Sequence, residues 1–295
     1  MTIIKGNDYM KIGFIGIGVM GGAIVHHLLE HDYEVIGYSR TKAKVIPQIE
    51  RGMTWADDIA TVVEKADLIF TMVGFPQDVI DVYLADNGAF AHAHTGQIFV
   101  DLTTSQPSLA KELAEKGESL GVSVLDAPVS GGDIGAIKGT LVMMVGGDQA
   151  VFTQISPILE LFTSTITYFG VAGSGQHMKM ANQIAVATNV LGMAESLIYA
   201  KKAGLDLEEV LAILGGGAAS SWQIINNGPK AIRGDYAPGF YIKHFVKDMR
   251  IAIEEAKNFG IVLPNLNLAE ELFTTLLDAG DGDLGTQAIY KLYDK

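Results

Sequence analysis

A lysine stands about one helical turn before two adjacent amide residues in the stretch GSGQHMKMANQ (173–183). In a helix, Lys179, Asn182 and Gln183 share a narrow polar stripe between apolar neighbours. A lysine in such a place can donate a proton, because partial burial lowers its pKa toward the working range and a neighbouring amide can orient it. A lysine near a helix end can also pack its alkyl stem and extend its ammonium group to solvent. The stripe by itself leaves the two interpretations evenly balanced.

A glycine-rich stretch, GFIGIGVMGGAIVHHL (13–28), has the G-x-G-x-x-G spacing between a predicted strand and a predicted helix. Gly16 permits a tight turn, Gly18 lets the backbone approach a pyrophosphate, and Gly21 lets the helix pack closely on the strand. A glycine turn in an ordinary α/β protein is the alternative. The strand before it, the helix after it and the position of the next strand favour a dinucleotide site. The contacts predicted here are Gly16, Gly18, Val19, Met20 and Gly21.

The second predicted strand ends in a guanidinium where many NAD sites have a carboxylate. An NAD site usually places an acid there, about 20 residues after the glycines, to bind the ribose 2′-hydroxyl. In this chain the strand ends in Ser39, Arg40 and Thr41. Arg40 can bind a 2′-phosphate through two parallel hydrogen bonds, and the two hydroxyls can add to them. Arg40 could instead be an ordinary exposed arginine, but the missing acid favours NADP, with NAD still possible.

The stretch DAPVSGG (126–132) predicts a place for a substrate carboxylate. A strand ends here and runs into a hydroxyl and two glycines, Ser130, Gly131 and Gly132, whose backbone N–H groups could bind an anion. A structural turn is the simpler interpretation of these residues alone. Ligands of doubly wound folds bind at strand ends, and this favours the functional interpretation.

The elements that must position these residues differ between the two halves of the chain. The first half alternates short β-branched runs with helix-like segments, which predicts an α/β fold with a parallel sheet covered by helices. Several runs are apolar throughout, as expected for strands buried on both faces. The predicted strands are KIGFIG (11–16), YEVIGYS (33–39), ADLIFTMV (66–73), GQIFVDLT (96–103), SVLDAP (123–128), TLVMMVGG (140–147) and TITYFG (165–170).

The second half of the chain is predicted to be helical. The segment 176–203 contains no proline and only Gly192 as a weak breaker, so one unusually long helix is expected. Further helices are predicted at 207–214, 222–227, 242–259 and 265–278. These patterns divide the chain into a dinucleotide-binding domain, 1–174, and a helical domain, 175–295.

Composition narrows the class of protein. The chain has 34 acidic and 21 basic residues, a net charge of −13, so nucleic acids and acidic membrane surfaces are not expected partners. It has no cysteine, and no further ligand accompanies His92 and His94, so neither a disulfide framework nor a metal site is expected. No apolar run reaches the roughly 18 residues of a membrane span, and the first ten residues do not look like a secretory signal. These features favour a soluble, cytoplasmic protein.

Four stretches in this order resemble the β-hydroxyacid dehydrogenases, the family of 3-hydroxyisobutyrate dehydrogenase and tartronate semialdehyde reductase. They are the glycine stretch 13–28, DAPVSGG with the following GAIKGTLVMMVGG, the lysine stretch 173–183, and PGFYIKHFVKD (238–248). The resemblance covers nearly the whole chain after Met10. It implies a Rossmann-type NADP-binding domain, a long interdomain helix and an all-α C-terminal domain, and it implies a homodimer or homotetramer.

The resemblance also implies roles for individual residues. Lys179 would be the general acid/base for a small hydroxyacid or its semialdehyde, and Asn182 or Gln183 would bind substrate beside it. The loop 130–132 would hold the substrate carboxylate, and Lys247 of the second domain would reach substrate and cofactor. Val73 and Thr104 would lie beside the cofactor.

Three stretches depart from the family pattern. Several relatives have asparagine where this chain has Gln183, so which amide assists the lysine stays open. The stretches MVGFPQDV (72–79) and LGTQAIYKL (284–292) also differ, which leaves the cofactor contacts near Val73 and the substrate preference open. The alternatives are an enzyme like 6-phosphogluconate dehydrogenase or the imine reductases, and a non-catalytic NADP-binding scaffold. The lysine and the short helical domain favour the main interpretation.

Overall fold

A computed structural model describes residues 10–294 of the chain. Residues 1–9 and 295 lie outside the described residues. Residues 1–9 are nine of the first ten residues, on which the expectation about a secretory signal rests. By their internal contacts the residues form two units, Met1–Lys179 and Met180–Lys295. The sequence-based boundary after residue 174 falls where a long helix begins, whereas the two units meet inside that helix.

The first unit contains a nine-stranded sheet with the order β3-β2-β1-β4-β5-β6-β8-β7, and β9 pairs with β8. The pairs from β3 to β6 are parallel, β8 runs antiparallel to β6 and β7, and β9 is parallel to β8. The strands are β1 Ile12–Ile15, β2 Val35–Tyr38, β3 Thr54–Trp55, β4 Leu68–Thr71, β5 Ile98–Asp101, β6 Ser123–Asp126, β7 Val129–Ser130, β8 Leu141–Gly146 and β9 Thr163–Gly170. All seven predicted strands are present, which confirms the α/β prediction for this half.

The central strands are apolar throughout because both of their faces are covered. Every residue of β1, β4 and β5 is buried. Alternate residues belong to different apolar clusters, with Phe14 and Phe70 in one and Ile15 and Phe99 in the other. The helices that cover the sheet are α1 Val19–Glu30, α2 Ile46–Glu50, α3 Ile59–Lys65, α4 Pro76–Leu84, α5 Pro107–Ser119, α6 Gly132–Lys138 and α7 Gln149–Leu159.

The register of the parallel strands lines up four residues at their carboxyl ends. Ile15 pairs with Thr71, Thr71 with Asp101, and Asp101 with Asp126. The chain order reverses at β1, since β2 lies on one side of it and β4 on the other. In doubly wound sheets this switch point, outside the carboxyl ends, is where ligands bind. The loops at this edge are therefore the place to look for the site.

One helix, α8, runs for 29 residues, Ser174–Lys202, across the boundary between the two units. The predicted helix 176–203 is confirmed nearly to the residue. Its start requires a glycine, because a Cβ on Gly175 would collide with the backbone oxygens of Met144 and Asp126. Gly192 is tolerated in the middle because nothing lies near the place its Cβ would occupy.

The second unit is helical, as predicted. Its helices after α8 are α9 Leu207–Gly216, α10 Gly228–Ile232, α11 Ile242–Asn258, α12 Pro264–Asp278 and α13 Tyr290–Tyr293, with a π-helical turn at Gln223–Asn227. Its core includes Phe245 of α11 and Phe273 of α12, whose rings meet edge to face with centroids 5.0 Å apart. Within residues 10–294, no helix is both long and apolar enough to cross a membrane.

Candidate active site

The glycine loop between β1 and α1 has the shape that a bound pyrophosphate needs. Gly16 has φ +92°, and a Cβ there would collide with the backbone oxygen of Met72. A Cβ on Gly21 would lie 2.5 Å from the Gly16 oxygen, so helix and strand can approach only because it is glycine. A Cβ on Gly18, in contrast, would meet nothing within 4 Å. The first and third glycines are thus required by packing, whereas the second leaves open space.

The first turn of α1 offers backbone N–H groups beside this space. The Gly22 N–H donates to the Gly18 oxygen at 2.8 Å and begins the helical pattern. The N–H groups before it, of Val19, Met20 and Gly21, have no partner within the helix, as at any helix N-terminus. Backbone N–H groups and the positive end of the helix favour an anion here. These residues therefore fit a dinucleotide pyrophosphate.

The loop after β2 carries the predicted Ser39, Arg40 and Thr41. The Arg40 side chain is 80% exposed, and its Nη1 donates to Asp78 Oδ1 at 3.1 Å. Asp78 lies in the first turn of α4, where its Oδ2 accepts the Phe75 N–H at 3.0 Å. This ion pair was not predicted from the sequence, in which its members are 38 residues apart.

Val73 is held by a threonine that the sequence analysis missed. The Val73 N–H donates to Thr103 Oγ1 at 3.0 Å, and the Thr103 N–H donates to Asp101 Oδ1 at 3.0 Å. Asp101 and Thr103 are both buried at the end of β5, directly before the predicted contact Thr104. Polar residues that follow a buried strand, as in DLTTS, were the available signal.

Two buried side chains fix the start of α8 to the sheet. Asp126 Oδ1 accepts the Gly173 N–H and Oδ2 accepts the Gln176 N–H, both at 2.8 Å. Gln176 Nε2 donates to the Thr103 oxygen at 2.7 Å, and its Oε1 accepts the Ser105 N–H at 3.0 Å. Burial raises the pKa of Asp126 to about 6, although its bonds from Gly173 and Gln176 act in the opposite direction.

Lys179 lies in the second turn of this anchored helix and is 6% exposed. Its Nζ donates to the Val129 oxygen at 2.9 Å, in the strand β7 that carries Ser130. Of the two interpretations left open by the sequence, extension into solvent is excluded by this burial. The first unit therefore brings the predicted catalytic lysine and the predicted carboxylate loop together.

The carboxylate loop itself has a backbone that favours glycine. Ser130 belongs to the short strand β7, and Gly131 has φ +129°. Gly132 has φ +65° and begins α6. Side chains at these two positions would be strained, so the two glycines are needed for the turn whatever it binds.

The second unit joins Asn182, Gln183 and Lys247 through an acid that the sequence analysis missed. Asn182 Nδ2 donates to Gln183 Oε1 at 2.8 Å, and Gln183 Nε2 donates to Asp248 Oδ2 at 2.6 Å. Lys247 Nζ lies 2.9 Å from Asp248 Oδ1. Asp248 is buried and belongs to α11, as does Lys247. The two amides thus form one hydrogen-bonded chain, in which Asn182 donates to Gln183 and Gln183 donates to the carboxylate of Asp248.

Metal ligands do not cluster in the part of the chain that the structure describes. No group of three or more His, Cys, Asp or Glu side chains there could hold a metal ion. His92 Nδ1 lies 3.6 Å from Glu64 Oε1 near the surface, and this pair is not part of any larger ligand group among the described residues.

Comparison with known proteins assigns both halves of the chain. Residues 11–170 match the model of the NAD-binding domain of 6-phosphogluconate dehydrogenase. Residues 173–293 match the NAD-binding model of NADP-dependent 3-hydroxyisobutyrate dehydrogenase. The second match supports the main interpretation of the helical half over an enzyme like 6-phosphogluconate dehydrogenase.

Individual relatives cover the chain almost end to end. An oxidoreductase of Bacillus subtilis is 48% identical over 96% of this chain and 99% of the relative. A probable 3-hydroxyisobutyrate dehydrogenase-like protein of Arabidopsis thaliana is 43% identical over 95% of this chain and 84% of its own length. The 2-hydroxy-3-oxopropionate reductase of Escherichia coli is 38% identical over 95% of this chain and 96% of its own length.

Solved structures agree with these matches. The 3-hydroxyisobutyrate dehydrogenase of Mycobacterium tuberculosis, solved with L-serine, has a TM-score of 0.88 and 27% identity, covering 97% of this chain and 99% of that one. An imine reductase of Myxococcus stipitatus has a TM-score of 0.64 at 18% identity, over 97% of this chain and 99% of that one, and shares the fold alone. The glycine loop, the anchored lysine and the matches to both halves agree, and the chain belongs to the β-hydroxyacid dehydrogenase family.

Proposed function

We propose that this NAD(P)-dependent oxidoreductase prefers NADP and interconverts a small β-hydroxyacid and its semialdehyde, with Lys179 as the general acid/base. The observation that carries the proposal is the burial of Lys179 with its Nζ 2.9 Å from the Val129 oxygen, next to the Ser130 loop. A lysine held in this way beside an anion-binding turn has a defined direction for proton transfer.

The cofactor fits the residues at the carboxyl edge of the sheet. The open space over Gly18 and the first-turn N–H groups of α1 would hold the pyrophosphate, and Val73, positioned by Thr103, would lie beside the cofactor with Thr104. When bound, the nicotinamide supplies the hydride acceptor for oxidation or the hydride donor for reduction. The protein residues then have to bind the acid, orient it and move one proton.

Lys179 would move that proton. In the oxidation its neutral amine takes the proton of the substrate hydroxyl and becomes an ammonium group. In the reduction the ammonium group returns the proton to the oxygen of the carbonyl as that oxygen gains negative charge. The hydrogen bond to the Val129 oxygen keeps Nζ in one place, and the anchoring of α8 by Asp126 keeps the helix turn in place.

Substrate binding would use the predicted carboxylate loop. The Ser130 hydroxyl and the N–H groups of Gly131 and Gly132 suit a carboxylate. Lys247, in the second unit, stays a predicted contact of substrate and cofactor. Asp248 holds Gln183 directly and Asn182 through it. We propose that Gln183 is the amide that assists Lys179, because it is the one fixed by the buried carboxylate.

The preference for NADP rests on the loop after β2. Arg40 is exposed, and Lys42 and Lys44 add two more cations within five residues of a chain whose net charge is −13. A related structure, 28% identical with a TM-score of 0.88, is a complex with NADP+. Positive charge beside hydroxyls suits a 2′-phosphate better than a ribose hydroxyl.

A substrate panel tests the proposal. Glyoxylate, succinic semialdehyde, tartronate semialdehyde and methylmalonate semialdehyde would each be offered with NADPH and with NADH, and cofactor oxidation followed by absorbance. We expect turnover of at least one acid with a lower KM for NADPH than for NADH, and no turnover of the matching aldehyde that lacks a carboxylate. Equal turnover of the aldehyde without a carboxylate would contradict carboxylate binding by the Ser130 loop. Absence of all turnover would favour a non-catalytic scaffold.

Assembly and location remain predictions. The family resemblance favours a homodimer or homotetramer, which light scattering after gel filtration would measure. A cytoplasmic location stays the expectation from composition, and cell fractionation would check it.

A further inference from the structure

The carboxylate that is missing from the end of β2 is supplied by another segment. Asp78, in the first turn of α4, lies 3.1 Å from Arg40, the residue expected to bind the 2′-phosphate. NAD sites commonly use a carboxylate near this point for the ribose hydroxyls. Arg40 and Asp78 therefore place two groups side by side, a guanidinium that suits a phosphate and a carboxylate that suits hydroxyls.

The two members of this ion pair differ in how firmly they are held. Asp78 is 20% exposed, and its second oxygen accepts the Phe75 N–H at 3.0 Å, which ties the carboxylate to the start of α4. Arg40 is 80% exposed, and its Nη1 donates to Asp78 itself. When a 2′-phosphate binds, Arg40 can move toward it, whereas the negative charge of Asp78 stays where it is. The negative carboxylate of Asp78 then repels the negative phosphate, which offsets part of the attraction between the phosphate and Arg40.

We propose that Asp78 is a specificity-determining residue that limits the preference for NADP over NAD. Its charge opposes the 2′-phosphate, and its free lone pairs accept a hydrogen bond from a ribose hydroxyl of NAD. This inference rests on the proposed NADP site at Arg40 and extends it, because it predicts an enzyme that still binds NAD measurably.

The test measures cofactor binding rather than turnover. Asp78→Asn removes the charge but keeps an oxygen that can accept the Phe75 N–H, so the start of α4 is preserved. Dissociation constants for NADPH and NADH would be measured by titration calorimetry. We expect Asp78→Asn to tighten NADPH binding about 3- to 10-fold and to leave NADH binding unchanged or weaker, a size typical of one charge near the protein surface. In 0.5 M salt the gain for NADPH should shrink. An unchanged ratio of the two constants, or a shift of the ratio toward NADH, would overturn the inference.

A matched control separates this local effect from a change in net charge. Asp67 precedes β4 at the opposite edge of the sheet, is exposed, and accepts the Lys11 N–H at 2.9 Å. Asp67→Asn removes the same charge and keeps the same kind of acceptor. It should change the ratio of the two constants less than about twofold, and a shift as large as that of Asp78→Asn would contradict a local role.

Arg40→Ala distinguishes failure of this inference from failure of the proposed NADP site. If Arg40→Ala weakens NADPH selectively but Asp78→Asn leaves the ratio unchanged, Asp78 has no part in specificity and the NADP site stands. If Arg40→Ala weakens neither cofactor, the NADP site itself is wrong, and the inference about Asp78 falls with it.

Discussion

The buried carboxyl of Asp126 should make the stability of the first unit depend on pH between about 4 and 6. Burial raises its pKa from 3.8 to about 6 in the folded chain, against the effect of the Gly173 and Gln176 N–H groups. Because the folded state then holds the proton more tightly than the unfolded state, this contribution to stability is complete below pH 4. It is lost as the pH rises through 6. The difference between the two pKa values corresponds to ~3 kcal/mol.

Replacement by asparagine removes the titration and keeps one acceptor oxygen. Asp126→Asn leaves one of the two buried N–H groups without its acceptor, which costs about 1–3 kcal/mol at every pH. The pH dependence, in contrast, belongs to the carboxyl alone. The free energy of unfolding of the wild type, minus that of Asp126→Asn, should therefore fall by ~3 kcal/mol between pH 4 and pH 7. Taking this difference cancels the groups that titrate equally in both proteins.

Urea unfolding followed by tryptophan fluorescence can measure this in the first unit. The chain has two tryptophans, Trp55 and Trp222, so a Trp222→Phe background leaves Trp55 in the first unit as the reporter. Asp58 is a control of opposite sign, because hydrogen bonds from Thr61 lower its pKa. For Asp58→Asn the difference should be constant above pH 4.5 and change only as the pH falls further. A constant difference for Asp126→Asn between pH 4.5 and 7 would refute the effect assigned to its burial.

Two further predictions concern the cofactor loop and the second unit. Gly18→Ala should fold normally and weaken NADPH binding by about tenfold or more, because the added Cβ enters only the space proposed for the cofactor. Gly16→Ala should instead lower the urea unfolding midpoint, because its Cβ would collide with the backbone. Calorimetry measures NADPH binding and urea titration measures stability, and equal stability of the two variants would contradict the geometry. Asp248→Asn should raise the KM for the acid and lower kcat by about tenfold or more, since an amide cannot both accept from Gln183 and pair with Lys247 as the carboxylate does. Unchanged steady-state constants would show that this buried carboxylate positions neither residue.

The sequence predicted most of the fold because the relevant signals are local. The seven longer strands and the 29-residue helix α8 follow from apolar runs and from the lack of breakers. The strands Thr54–Trp55 and Val129–Ser130 were missed because two residues are too few to show a period of two. Of these two strands, β7 is the more important for the candidate site, since it carries the backbone oxygen that Lys179 contacts.

The candidate site residues were proposed from the sequence, but the contacts that position them were not. Spacing indicated the three glycines, whereas the roles of Lys179 and Ser130 came from the family resemblance, and in the structure the lysine lies beside the Ser130 loop. Asp78 was missed as the partner of Arg40, and Gln176 was missed as an anchor of α8. Such pairs depend on strand register and on loop paths across dozens of residues, whereas periodicity gives only the face on which a side chain lies.

The proposed proton transfer depends on Lys179, so the decisive measurement is turnover and cofactor binding of Lys179→Ala. Proton transfer by a positioned side chain contributes about 10²–10⁴-fold, so kcat should fall by at least about 100-fold while the dissociation constant for NADPH changes less than about twofold. Lys116→Ala, on the exposed face of α5, is the control and should match the wild type in both. A Lys179→Ala variant that keeps NADPH binding and wild-type turnover would contradict the proposed role of Lys179 as general acid/base.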